Sequence, residues 1–331
     1  MRAAAKLVHA SIRRLRRLPA SVGLALLLLA GAMPAAGQDP ARPTVPLTAT
    51  PEPITPIPRP SAADARKLAL GERLFNDHRL SHDGALACAS CHDLHTNGAD
   101  PGRRTAHNGS KMPFTVLTVF NASLSFRLNW EGNYRTLEAQ AESSLENPAN
   151  ENTSIAEVLN KLNADQEMVS EFNAAYGHKP DKASLLDALT TFERSLLTPD
   201  SRFDRWLEGD ATALTAEEKS GYALFKSIGC VSCHQGVNVG ANLYGRRGIF
   251  HPLGSVSPQI LRVPSLRNVA AMAPYFHDGS AATLDEAVRK MALAQLDRTL
   301  SDQQIASIVA FLKTLTDQKF VTDPKFSDPF Q

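Results

Sequence analysis

Apolar residues recur along most of the chain with the period of a helix, and the starts of several helices are marked by capping residues. Ser61 to Asp64 reads as a capping box ahead of Leu68, Leu74 and Phe75. Helical patterning returns over residues 137–145, 155–162 and 185–197. Thr215-Ala-Glu-Glu218 caps a helix that carries Tyr222, Leu224, Phe225 and Ile228. Thr283-Leu-Asp-Glu286 opens another, with Leu284, Ala287, Val288 and Met291 on one apolar stripe. Ser301-Asp-Gln-Gln304 opens the last, striped by Ile305, Ile308, Val309, Leu312 and Leu315. No β-rich alternation competes, so the expected fold class is mainly α.

Two stretches near the start do not fit a packed helical body. Lys6, Arg13, Arg14, Arg16 and Arg17 precede an apolar run over residues 20–33, followed by Ala35, Ala36 and Gly37. That run is short for a bilayer span, and its flanks suit an export signal over residues 1–37, with an uncleaved membrane anchor as the lesser alternative. Residues 38–60 contain eight prolines and read as an extended spacer without a core. The remainder is expected to form two domains, residues 61–205 and 206–331. Composition agrees with a globular body, at 43% hydrophobic and 21% charged. The first 37 residues hold six Lys/Arg and no acid, so the formal charge of +1 becomes −5 without them. That balance argues against a nucleic-acid binder and permits steering by a basic partner, while the export signal places the protein in the periplasm.

The cysteines decide the chemistry. All four fall in two pentapeptides, Cys88-Ala-Ser-Cys91-His92 and Cys230-Val-Ser-Cys233-His234. A pair of thiols two residues apart with an adjacent imidazole is the attachment pattern of haem c: the thiols add to the vinyl groups and the histidine ligates the iron. A redox pair or structural disulfides would explain one motif, but two motifs using every cysteine of an exported chain indicate two covalent haems. The histidines stand 142 residues apart. Each is preceded by a capped helix and followed by a long loop and further helices. Two cytochrome c-like helical domains, each built round one haem, follow from that spacing.

Around these motifs the chain resembles the bacterial di-haem cytochrome c peroxidase family over roughly residues 62–316. The likeness rests on Leu80-Ser81 ahead of the first motif, Phe192-Glu-Arg-Ser195, Ser201-Arg-Phe-Asp204 and Gly229 before Cys230. It is strongest in Val263-Pro-Ser-Leu-Arg-Asn-Val269 followed by Ala273-Pro-Tyr-Phe-His-Asp-Gly279. The resemblance implies an N-terminal haem that reduces hydrogen peroxide and a C-terminal haem that receives electrons from a small periplasmic cytochrome c or cupredoxin. It also admits a homodimer.

Site residues carried by the resemblance must be weighed against plainer readings. Met291, fourteen residues after His277, matches the distal ligand of the C-terminal haem. A soft thioether suits that role, yet a core methionine is ordinary on an apolar stripe. A related branch, resembling the enzyme that matures the tryptophan-derived cofactor of methylamine dehydrogenase, carries Tyr there. Trp130 matches the tryptophan between the haems, either as an electron relay or as interdomain packing. Gln140 falls on the active-site glutamine. The catalytic glutamate position falls on Asn150, which cannot serve as a base, so the adjacent Glu151 becomes the candidate acid–base group. His107 is the nearest equivalent of a loop histidine that ligates the resting peroxidatic iron, with His95 as a second candidate. The interdomain Ca2+ of the family, a candidate further cofactor, maps to Lys111 and to the carbonyls of Met272 and Pro274; main-chain oxygens survive substitution, but an ammonium is a poor neighbour for a hard cation. His277 suits a propionate contact or the domain boundary, and His251 reads as surface. Arg246, Arg247, Arg262 and Arg267 are candidate propionate partners.

These readings converge on an enzyme that reduces hydrogen peroxide to water. An oxidase acting on a protein partner and a non-enzymatic electron-transfer cytochrome are the alternatives.

Overall fold

The computed structural model describes residues 52–322, apart from 104, 255 and 256 and the side chains of 321 and 322. The expected export segment, residues 1–37, and the first part of the proline-rich stretch lie outside the described residues.

Among the described residues ten α-helices dominate: α1 (Ala65–Phe75), α2 (Leu137–Glu146), α3 (Ile155–Asn163), α4 (Gln166–Tyr176), α5 (Lys182–Ser195), α6 (Arg202–Leu207), α7 (Ala216–Ser227), α8 (Leu284–Leu296), α9 (Asp302–Lys313) and α10 (Gln318–Thr322). The described strands are an antiparallel pair, β1 (Tyr244–Arg246) and β2 (Ile260–Arg262), with Gly245 opposite Leu261. Thr215 and Ser301 form the expected capping boxes of α7 and α9. The first helix starts later than the pattern suggested: Asp64, not Ser61, accepts the free backbone N–H groups of Arg66 and Lys67. The pattern also left out α4, which Asp165 caps and Gly177 ends in left-handed backbone.

Two apolar clusters form, one around each haem motif. The N-terminal lobe packs α1 on α5 through Leu70, Leu74, Phe75, Leu189 and Phe192. The C-terminal lobe packs α7 on α9 through Tyr222, Phe225, Ile308 and Phe311. Both crossings are close because a glycine faces a carbonyl. A Cβ on Gly71 would lie 2.1 Å from Ala188 O, and one on Gly221 would lie 1.9 Å from Ser307 O.

The chain is not divided as the spacing suggested. Residues 52–57 are not a free spacer but a strap bound to the C-terminal lobe. Ile54 and Ile57 are each 1% exposed, and Ile54 belongs to the C-terminal cluster. Pro53 O accepts from Gly236 N at 2.8 Å, and Thr55 O accepts from Arg267 Nη2 at 2.8 Å. Ile57 N donates to Asp204 Oδ1 at 3.1 Å. Proline keeps such a segment extended, but the isoleucines between the prolines supply apolar surface to bury. A boundary after residue 205 would cut α6, whose Phe203 lies in the C-terminal cluster. At the other end Phe320 of α10 returns to the N-terminal cluster, 5.0 Å from Phe120 ring to ring.

Candidate functional site

Both pentapeptides fold into the same tight turn. In the first, Cys91 N and His92 N donate to Cys88 O at 3.2 and 3.0 Å; in the second, Cys233 N and His234 N donate to Cys230 O at 3.2 and 3.0 Å. Each imidazole then turns its Nδ1 to a carbonyl, His92 to Gly98 O at 3.0 Å and His234 to Val239 O at 3.3 Å. A carbonyl only accepts, so Nδ1 carries the proton and Nε2 keeps a lone pair for a metal. Burial holds both rings neutral, lowering His92 and pushing His234 down to about 4. None of the four cysteines is paired in a disulfide. Burial raises each of them, Cys230 to about 11. A redox pair requires a depressed thiol, so these environments favour haem attachment over dithiol chemistry.

One continuous cavity reaches both motifs, touching Cys88 and His92 on one side and Cys230, Cys233 and His234 on the other. Phe75, Leu145 and Leu189 line it near the first motif, and Phe225, Ile308 and Leu312 near the second. An apolar cradle, paired thiols and an oriented imidazole in each lobe fit two macrocycles bound through their edges. Trp130 lines the cavity between the lobes, with Nε1 donating to Thr115 O at 2.9 Å. Its ring centroid lies 6.3 Å from that of His277, edge to face. Arg262 N donates to Trp130 O at 2.8 Å, which ties the tryptophan loop to β2.

The sequence candidates divide clearly. Gln140, Glu151 and Met291 all line the cavity, whereas Asn150 does not. Glu151 is 8% exposed, and Ser144 Oγ donates to its Oε2 at 3.2 Å. Burial raises its carboxyl above the ordinary range, with the Ser144 hydrogen bond opposing. Asn150 Nδ2 donates to Ser144 Oγ at 3.1 Å, so it supports the glutamate from behind.

His107 is not brought to this cavity. It is exposed, and its Nε2 lies 2.8 Å from Asp83 Oδ2, a hydrogen bond that keeps the ring at the surface. The histidine expected as a switch ligand thus stands at the surface on Asp83, and His95 is likewise exposed. Lys111 is exposed too, and its ammonium offers no oxygen to a hard cation. Among the described residues no three His, Cys, Asp or Glu side chains converge as a metal site.

The arginines also separate. Arg267 is 1% exposed, bonds Asp204 at 2.8 Å and so locks the strap to the C-terminal lobe, and it also lines the cavity. Arg262 Nε donates to Asn129 O at 3.0 Å, and burial pushes the guanidinium down to about 10. Arg246 and Arg247 also line the cavity, and Arg247 contacts the buried His277. His251 stays at the surface, 2.8 Å from Asp297 Oδ1.

Glu193 was missed. It lines the cavity, is 8% exposed, and its Oε2 has no hydrogen-bond partner. Burial pushes it up to about 7, against the Arg194 charge. Its signal was present as an acid on the inner face of α5, beside Leu189 and Phe192.

Family models match in two blocks: di-haem cytochrome c peroxidase over residues 65–212 and cytochrome c over residues 218–316. A cytochrome c551 peroxidase of Nitrosomonas europaea is 39% identical over 80% of this chain and 84% of its own length. A cytochrome c peroxidase of Escherichia coli is 38% identical over 80% of this chain and 61% of its own, longer sequence. Among solved structures, a MauG-like protein associated with microbial copper homeostasis superimposes with a TM-score of 0.68 at 28% identity. That match covers 83% of this chain and 97% of the other.

Proposed function

The chain belongs to the di-haem cytochrome c peroxidase family, and from that premise we propose how its own residues reduce hydrogen peroxide to water. One observation carries the reading: a single cavity joins both haem motifs, with the Glu151 carboxylate in one lobe and the Met291 thioether in the other. When bound, the two haems supply electron transfer and the iron at which peroxide is reduced.

The protein's part is ligation, orientation and proton movement. His92 and His234 present Nε2 to the metals because their Nδ1 protons are committed to carbonyls. Met291 would hold the C-terminal haem as a soft sulfur ligand, which would favour the reduced iron and keep peroxide from that site. Gln140 orients the substrate oxygens by hydrogen bonding. Glu151 takes a proton from one peroxide oxygen and returns it to the other, and burial suits it to that exchange by holding its affinity for a proton above that of an exposed carboxylate. Overall, peroxide takes up two electrons and two protons and leaves as two waters. Trp130 spans the lobes between the two sites.

The donor is a small periplasmic cytochrome c or cupredoxin, and the protein works in the periplasm. The basic and apolar segment at residues 1–37 supports that location, and among the described residues no helix is long and apolar enough to cross a membrane. Calcium is left out of the proposal because Lys111 stands where an oxygen donor is needed.

Holoprotein mixed with a reduced small cytochrome and peroxide decides the matter. Two donor molecules oxidised per peroxide consumed is the expected result. Peroxide-driven oxidation of Tyr or Trp in an added protein, with no donor turnover, would make the enzyme a protein oxidase instead.

A further inference from the structure

The two lobes repeat one loop-to-helix segment, and the repeat is regular to the residue. Asn121 and Asn268 hold left-handed backbone, φ 60° and 59°, ahead of the short turns Ala122–Leu124 and Val269–Ala271. Leu128 bridges to Tyr134 as Tyr275 bridges to Ala281, each partner lying 147 positions further on. Gly132 and Gly279 share a φ of 68°. Thr136 and Thr283 then cap α2 and α8, each accepting from the third backbone N–H onward at 3.2 Å.

Continuing the count, the eighth residue after the cap is Ser144 on α2 and Met291 on α8. Both line the cavity. Equal entry into equal helices means that each approaches its own haem site from the corresponding side. A thioether at that point reaches and binds iron, whereas a serine hydroxyl is short and a weak ligand. The hydroxyl has another use here. It accepts from Asn150 Nδ2 at 3.1 Å and donates to Glu151 Oε2 at 3.2 Å. A hydroxyl has one proton, so accepting from Asn150 turns that proton toward the glutamate.

We propose that Ser144 is the positioning residue of the N-terminal site: it stands where the other lobe carries its methionine, leaves that side of the metal open, and aims Glu151 at the substrate. The second half rests on the proton-carrying role given to Glu151; the first half does not. Asn150 acquires a role in the same arrangement, as the donor that sets the serine rotor.

The test is Ser144→Met in the holoprotein, read by absorption and magnetic spectra and by cyanide binding. A second sulfur-ligated haem and loss of cyanide binding at the N-terminal site are expected. One sulfur-ligated haem with wild-type cyanide binding would overturn the placement. Ser144→Ala and Ser144→Thr decide the hydroxyl's part, and the whole proposal if the methionine variant does not load both haems. Alanine is expected to slow peroxide cleavage by about tenfold with cyanide binding unchanged, and threonine to restore it. Alanine at the wild-type rate would overturn the aiming role. A wild-type rate in Glu151→Gln would remove only the proton reading, because the Ser144→Met spectra do not depend on it.

Discussion

Glu151 is buried with one hydroxyl supporting its carboxylate, which makes its charge sensitive to single-atom changes. Glu151→Gln keeps shape and packing but cannot carry a proton. It is expected to leave peroxide access intact and slow cleavage by about 10²-fold, the lower range for losing a placed acid–base group. Stopped-flow spectra separate binding from cleavage, and a wild-type rate would remove Glu151 from the mechanism. Asn150→Asp is expected to slow the same step, since an aspartate there would draw the Ser144 proton away from Glu151. Met291→Ala should open the C-terminal iron and lower its potential while both haems stay attached; an unchanged potential and sulfur-ligated spectrum would reduce Met291 to core packing. Glu193 makes a different prediction. Burial raises it from 4.5 to about 7, so the folded protein keeps a proton that the unfolded chain has lost across that window. Its contribution to stability is present below about pH 4.5 and fades as pH rises toward about 7. Thermal unfolding of Glu193→Gln holoprotein should lack that part of the decline; identical pH profiles would show the group paired once the haem is bound.

Among the elements, the capped helices were readable because capping is local. Thr215 with Glu218, and Ser301 with Gln304, satisfy backbone N–H groups within one turn, whatever the rest of the molecule does. The strap was not readable, because its prolines describe conformation while its docking depends on a surface made by α6, α7 and the loop after His234. That docking has a measurable weight. Ile57→Ala removes a fully buried side chain and is expected to cost about 2–5 kcal/mol. Pro60→Ala, a few residues on and exposed, should change stability by no more than ~0.5 kcal/mol. Chemical unfolding of the two variants compares them directly, and equal small losses would mean that the strap is dispensable.

For the molecule as a whole, the lobes are held by exchanged chain and by a buried polar junction. Thr198 N donates to Asn121 Oδ1 at 3.0 Å, and both Asn121 Nδ2 and Asn268 Nδ2 donate to Thr198 Oγ1, at 2.7 and 3.1 Å. The two left-handed asparagines of the repeat thus meet on one threonine. This junction keeps Trp130 and His277, which occupy corresponding repeat positions, edge to face across the lobes. At this scale the expected composition is two covalent haems per chain, because every cysteine lies in an attachment turn. Intact mass after periplasmic maturation measures it, and one haem or none would sink the assignment.

The sequence by itself determined the cofactor type, the pairing of each Cys-x-x-Cys with its histidine, and the helical class. Those features depend on spacings of a few residues, and such spacings survive any arrangement of the rest. Met291 was legible only through a family likeness, since one methionine on an apolar stripe looks like any other. What tertiary structure alone decided were facts about facing. It turned Glu151 inward and Asn150 toward Ser144, kept His107 on Asp83 at the surface, and buried Glu193 on α5. Neighbouring residues in a loop differ in direction rather than in spacing, and direction is set by packing between distant segments. The strap and α10 show the same limit on a larger scale: each leaves the lobe nearest in sequence because its apolar side chains find a better-matched surface on the other.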